Sequence, residues 1–144
     1  VTNTEIRALA SDLSLAVVRL ARHLRGRRAD SKVSLTQLSA LATLSRDGAM
    51  TPGALAGKER VQPPSMTRVI ASLTDIGMVE RSPHPTDGRQ IIVSLSDSGR
   101  DLIADETSAR EKWITEQLTA LDKKQLETLR DAVVIIRDIV SNSE

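Results

Sequence analysis

Apolar residues recur through most of this chain at intervals of three and four, the spacing of one helical face. Ile6, Leu9, Leu13, Val17, Leu20 and Leu24 mark a long first helix, with Thr4 as its expected N-cap and Gly26 near its end. A second helix is predicted after Ser34: Leu35, Leu38, Leu41 and Leu44 line one face, and Arg46-Asp47-Gly48 closes it. Thr51-Pro52 sets a capping hydroxyl before a proline at the first helical position, opening a short third helix with Leu55 and Ala56. Residues 58–61 make the next turn. Gln62-Pro63-Pro64-Ser65 then announces a fourth helix, because proline lacks only a donor that a first turn leaves unsatisfied. Met66, Val69, Ile70 and Leu73 form its apolar stripe, and Gly77 ends it.

The period then changes. Met78-Val79-Glu80-Arg81 and Gln90-Ile91-Ile92-Val93-Ser94-Leu95 read as two strands, the second strongly by its β-branched content. Between them Pro83, Pro85, Asp87 and Gly88 suit a hairpin loop longer than two residues. Ser96 caps a helix running from Asp97 to about Leu118, and Asp122 caps a last one. In that last helix Leu126, Leu129, Val133, Ile136 and Val140 repeat at three and four, flanked by Val134, Ile135 and Ile139. So wide an apolar face exceeds what one peripheral helix needs. It predicts a subunit seam together with burial against the first helix.

Composition narrows the chemistry. The chain has 144 residues, no cysteine and a single aromatic ring outside histidine, Trp113, so its core is aliphatic. Disulfides, thiolate metal sites, cysteine nucleophiles and thiol redox sensing are excluded. His23 and His84 stand far apart and in no metal-ligand spacing, and no phosphate-binding glycine loop or serine with a base is present. No catalytic residue, metal or cofactor is therefore expected. No run of about 18 apolar residues could span a membrane. The first twelve residues lack a signal-peptide pattern, so a cytoplasmic location is expected.

The net charge of +1 conceals a separation of sign: residues 1–32 carry seven basic and three acidic side chains, residues 101–144 six basic and ten acidic. That asymmetry is compatible with an anionic partner on one side of the molecule. The cluster Arg22, Arg25, Arg27 and Arg28 reads equally as a solvated helix end that complements the dipole or as a phosphate or ligand contact.

A short helix, a turn, a second helix with a small polar outer face and a basic-tipped hairpin occur in the order of a winged helix-turn-helix. The outer face of the second helix of that pair carries Pro64, Arg68, Ala71 and Asp75, flanked by Ser65, Thr67 and Ser72. Short side chains there let a backbone approach base edges in a major groove, and a hairpin arginine can reach the neighbouring minor groove. The same pattern also serves as a winged-helix protein-interaction module without operator specificity. Both readings stand at this point.

Residues 51–95 resemble the MarR family of bacterial transcription regulators. The likeness is carried by Thr51-Pro52-Gly53-Ala54-Leu55-Ala56, by residues 61–73 and by Gly77-Met78-Val79-Glu80-Arg81. It is carried most specifically by the wing His84-Pro85-Thr86-Asp87-Gly88-Arg89 and by Leu95-Ser96-Asp97-Ser98-Gly99. His84 stands where the family often has Asp, and Ser96 where it often has Thr. The resemblance implies a mainly α fold with a small β-hairpin wing. Residues 1–33 would form an N-terminal dimerisation helix, 34–96 the winged helix-turn-helix, and 97–144 the helices completing a helical dimerisation domain. It further implies a homodimer on pseudo-palindromic double-stranded DNA, repression of transcription, and release by a small phenolic or other anionic ligand. On that basis Gln62, Pro64, Ser65, Thr67 and Arg68 are expected in the major groove, and Asp87, Gly88 and Arg89 at the minor groove. Ser34, Thr36 and Thr51 are expected at phosphates. Ile6, Leu9, Leu126, Leu129, Val133, Ile136 and Val140 are expected in the dimer interface. Arg19, His23 and Trp113 would either line a ligand pocket or simply pack.

Overall fold

A computed structural model describes residues 1–27 and 32–143, so Arg28 of the basic cluster lies outside the described residues. Helix α1 (Asn3–Arg25) starts at Thr2, where sequence reading placed the cap at Thr4. The spacing Thr2…Glu5 explains the shift. Thr2 Oγ1 accepts from the Glu5 amide at 3.2 Å and the Glu5 carboxylate accepts from the Thr2 amide at 2.7 Å, a reciprocal capping box.

Helices α2 (Leu35–Asp47), α3 (Pro52–Glu59) and α4 (Pro63–Asp75) enclose the core with strands β1 (Val79–Pro83) and β2 (Ile91–Leu95). Leu41, Leu55, Met66, Leu73, Val33 and Val93 are its largest fully buried side chains. In α2 the buried face is Ala40, Leu41, Thr43 and Leu44, whereas Leu35 is 52% exposed. A strict spacing of three loses about 60° per step on a helix, so the four leucines cannot share one face. Helix α3 also runs further than expected, through Lys58 and Glu59, and the turn falls to Arg60 in the left-handed conformation at φ 55°. The Glu59 carboxylate fixes that end by accepting from Ser39 Oγ at 2.7 Å and Thr43 Oγ1 at 2.5 Å on α2.

The strands pair antiparallel, Val79 opposite Leu95 and Pro83 opposite Ile91, so β1 extends two residues beyond its predicted end. Met50, in the loop between α2 and α3, adds a bridge to the other edge of β2 through two bonds with Val93, of 3.1 and 2.8 Å. Ser96 fastens the base of the hairpin to α5 (Asp97–Thr119): its hydroxyl donates to Gly77 O at 2.5 Å and accepts from Gly99 N at 3.0 Å. A Cβ on Gly99 would lie 2.1 Å from the Met78 carbonyl oxygen, so only glycine fits there.

Helix α6 (Lys123–Ser141) follows Asp122, whose carboxylate caps it as predicted. It packs extensively against no other element, and neither α1 nor α6 contains a buried residue. The expected burial of the last helix against the first therefore does not occur within the chain. The described arm of the molecule reaches α5 mainly through α1, where the His23 and Trp113 rings stack at 5.7 Å, nearly parallel, and the Arg27 guanidinium lies 5.2 Å from the Trp113 ring centre.

Candidate nucleic-acid interface

Helix α4 turns Met66, Ile70 and Leu73 into the core, and its geometry commits the opposite face to the outside. Gln62 is the N-cap residue and makes no capping bond with its side chain. Pro64, Thr67 and Arg68 are exposed and Ser65 is half-buried. Thr67 Oγ1 donates back to Pro63 O at 3.0 Å, and Arg68 Nη2 reaches Ser65 Oγ at 3.5 Å, so the arginine lies along the first turn of its own helix. Gln37 on α2 holds the helix from behind, donating to Ser72 Oγ at 2.9 Å.

At the N-termini of α2 and α3 the hydroxyls of Ser34 and Thr51 cap their own helices, accepting from Gln37 N at 3.2 Å and Ala54 N at 3.1 Å. A hydroxyl that accepts from an amide still has its hydrogen to donate, which suits an anionic oxygen. Thr36 is exposed one residue into α2.

The wing is held by a local set of hydrogen bonds centred on Asp87. Asp87 Oδ1 accepts from the Arg89 amide at 3.1 Å and from Arg89 Nε at 3.2 Å, while its Oδ2 accepts from Gln90 Nε2 at 3.1 Å. The Gln90 bond first, then those from the Arg89 side chain and backbone, hold the Asp87 carboxyl below its ordinary value. Arg89 is 91% exposed, a cation held by one nitrogen with its other donors facing solvent. Gly88 is exposed beside it, and nothing stands where its Cβ would be.

Of the residues expected either to line a pocket or to pack, His23 borders a surface cavity of about 290 Å³ with Arg22, Gly26 and Arg27. A cavity of about 300 Å³ lies among α1, α2 and α5, lined by Ala21, Leu24, Arg25, Leu35, Leu38, Glu106 and Arg110. None of Arg19, His23 and Trp113 lines it: His23 and Trp113 are engaged with each other, and Arg19 is exposed on α1. Glu106, buried in α5, was missed because a carboxylate among Asp105, Glu106 and Glu111 looks like part of a solvated helix face. The approach of other elements removes it from water, and its neighbours around the cavity come from both α1 and α2. Ile6, Leu9, Leu126, Leu129, Val133, Ile136 and Val140 are all exposed on the two arm helices.

These elements make a winged helix-turn-helix joined to a helical arm. Comparison with known proteins narrows the class. Residues 33–91 match the MarR family model. A transcriptional regulator of the helix-turn-helix type from Mycobacterium leprae is 58% identical over 135 residues, covering 94% of each chain. Among solved structures, a MarR family protein from Bacillus stearothermophilus superposes with a TM-score of 0.82 at 16% identity, covering 98% of this chain and 99% of that one. A MepR mutant from S. aureus bound to an oligodeoxyribonucleotide gives 0.69 at 13% identity, covering 92% and 97%. The chain belongs to the MarR family of transcriptional regulators. No helix among the described residues is long and apolar enough to cross a membrane.

Proposed function

We propose that this regulator is a cytoplasmic homodimeric repressor whose two lobes bind the half-sites of a pseudo-palindromic operator. The observation that carries the reading is the wing: an almost fully exposed arginine whose direction is fixed by a carboxylate two residues earlier. A guanidinium held this way loses little freedom on entering a narrow, strongly negative minor groove. Helix α4 supplies the major-groove reader through Gln62, Pro64, Ser65, Thr67 and Arg68, with Arg68 leaving Ser65 to meet a base edge. Ser34, Thr36 and Thr51 anchor the lobe at phosphates. The exposed stripes of α1 and α6 supply the subunit seam, and two-fold symmetry then sets the spacing of the half-sites. The oligonucleotide carried by the S. aureus neighbour supports DNA as partner.

Release by a small anionic or phenolic ligand belongs to the same reading. Its support is the cavity between arm and lobe, where Arg25 and Arg110 offer two guanidinium groups against one carboxylate, Glu106, in a lining otherwise made of Ala21, Leu24, Leu35 and Leu38. A ligand there acts only if it prefers one arm–lobe arrangement over another.

A salt-dependent gel shift with the duplex upstream of the protein's own coding sequence tests the proposal. A sequence preference and a steep salt slope are expected. Arg68→Ala should cost about 1–3 kcal/mol on that duplex and less on random DNA. Equal losses on both would make Arg68 a phosphate contact. No binding at any salt would leave a protein-interaction module.

A further inference from the structure

His84 occupies the first position of the wing loop, directly after β1, and its amide donates to Gln90 O at 3.2 Å across the loop. Its ring faces inward, half-buried, with Nδ1 3.2 Å from the Thr86 amide nitrogen and 3.0 Å from that of Asp87. Thr86 Oγ1 lies 3.4 Å from the same atom. A backbone amide can only donate. Nδ1 therefore accepts both bonds through its lone pair, which leaves Nε2 as the nitrogen free to donate. The residue that donates the second of these bonds is Asp87, whose carboxylate in turn holds the amide and Nε of Arg89. An unbroken relay thus runs from the imidazole to the groove-facing guanidinium.

We infer that His84 is a positioning residue for Arg89 and that its protonation loosens the wing and weakens DNA binding. The inference rests on the reading that Arg89 enters the groove. An aspartate or asparagine here would accept the same two amides through oxygen, as such side chains do in turns, and would not titrate near neutrality. Imidazole is the side chain that ordinarily gains its proton between about pH 5 and 8. Once Nδ1 carries hydrogen it points a donor at two donors, and both loop bonds are lost. The charged groups around it are those of the wing: Asp87, engaged by Arg89 and Gln90, and Arg89 itself, with Glu80 and Arg81 nearer the base of β1. Among the described residues no carboxylate forms an ion pair with the ring. Asp87, held below its ordinary value, stays ionised throughout this range and contributes no slope of its own.

The sign separates this role from plain electrostatics. An added positive charge on the wing would by itself tighten binding to phosphates as pH falls. Loss of the relay does the opposite.

The test titrates the full-length protein against the duplex upstream of its coding sequence, at fixed ionic strength, from about pH 8 to 5.5. Affinity should fall roughly five- to tenfold on acidification, the order expected for a hydrogen bond's net worth. His84→Asn should bind as the parent does at pH 8 and show no such fall, His84→Ala should bind weakly throughout, and His23→Asn should keep the parent's slope. In the free protein, the amide signals of Thr86 and Asp87 and the Arg89 Nε–H signal in nitrogen-resolved NMR should move with the midpoint of the His84 ring. Tighter binding at low pH, a slope that survives His84→Asn, or wing signals indifferent to the His84 titration would each overturn the inference. If Arg89→Ala binds the duplex unchanged, the groove reading itself fails. The NMR arm then still decides whether His84 orders the wing.

Discussion

In the winged lobe, α2, α3 and α4 bury Leu41, Leu55, Met66, Ile70 and Leu73 almost completely, whereas α1 and α6 bury no residue although their apolar stripes are more regular. Ile6, Leu9, Val17, Leu20 and, on α6, Leu129, Val133, Val134, Ile135, Ile136, Ile139 and Val140 remain between 37% and 67% exposed. Sealing a large aliphatic side chain from water is worth about 1.5–3 kcal/mol. Among the described residues, two long helices thus keep an apolar face that their own chain does not cover. The comparison teaches that an amphipathic pattern specifies a buried face without specifying whose atoms bury it. The lobe closes on itself because short helices and a hairpin meet around one centre, and the arm has no such centre.

Three variants sharpen or break this contrast. The largest effect is expected from Leu129→Asp combined with Ile136→Asp on α6. Each places a charge in the proposed seam at a cost of several kcal/mol, roughly. Sedimentation equilibrium should find monomer or aggregate, while the lobe retains its cooperative core. A fully dimeric double variant would remove α6 from the interface. Next comes Leu41→Ala, which opens a cavity where the lobe is densest and should cost about 2–5 kcal/mol in urea unfolding. Val133→Ala, its counterpart in the arm, should lower stability in a way that depends on protein concentration. A concentration-independent loss at Val133 would mean that the arm has a private core after all.

The smallest effect concerns Asp47 at the end of α2. A hydrogen bond from Arg46, with further help from Lys58 at 3.3 Å, holds its carboxyl below the ordinary value despite an opposing desolvation. The sign follows from that depression. The contribution is present above the unfolded carboxyl's pKa of about 3.9 and is lost as pH falls through the lower folded value. Asp47→Asn should leave stability at neutral pH almost unchanged, because the pair is solvent-screened, and flatten the acid limb of the unfolding curve. A variant that loses stability equally at pH 7 and below pH 4 would show that Asp47 acts through packing instead.

Much of the lobe was legible because its signals are local. Thr51-Pro52, Gln62-Pro63-Pro64, Ser96 and Asp122 act within three residues of themselves, and each begins a helix where the sequence predicts one. The Asp87–Arg89 bond was legible for the same reason, since two residues in a tight loop have few other places to meet. Errors arose where another residue, near or far along the chain, chose between local options. Thr4 is as good a capping residue as Thr2, and only Glu5 decides between them. Glu59 is helical because α2 supplies two hydroxyls for its carboxylate. His84 reads as a family departure in the sequence, and its role as an acceptor exists only because the loop curls two amides onto one nitrogen.

The sequence by itself determined the order of elements and most of the apolar faces, and it named the residues proposed to meet DNA, because caps, helical period and turn chemistry are properties of neighbours along the chain. The tertiary structure alone decided which of those faces the chain covers and which it leaves open. It also decided that Glu106 is buried and that the junction cavity is lined by Arg25 and Arg110 instead of Arg19, His23 and Trp113. Burial depends on which distant segments approach, and a single helix carries no record of what will stand opposite it.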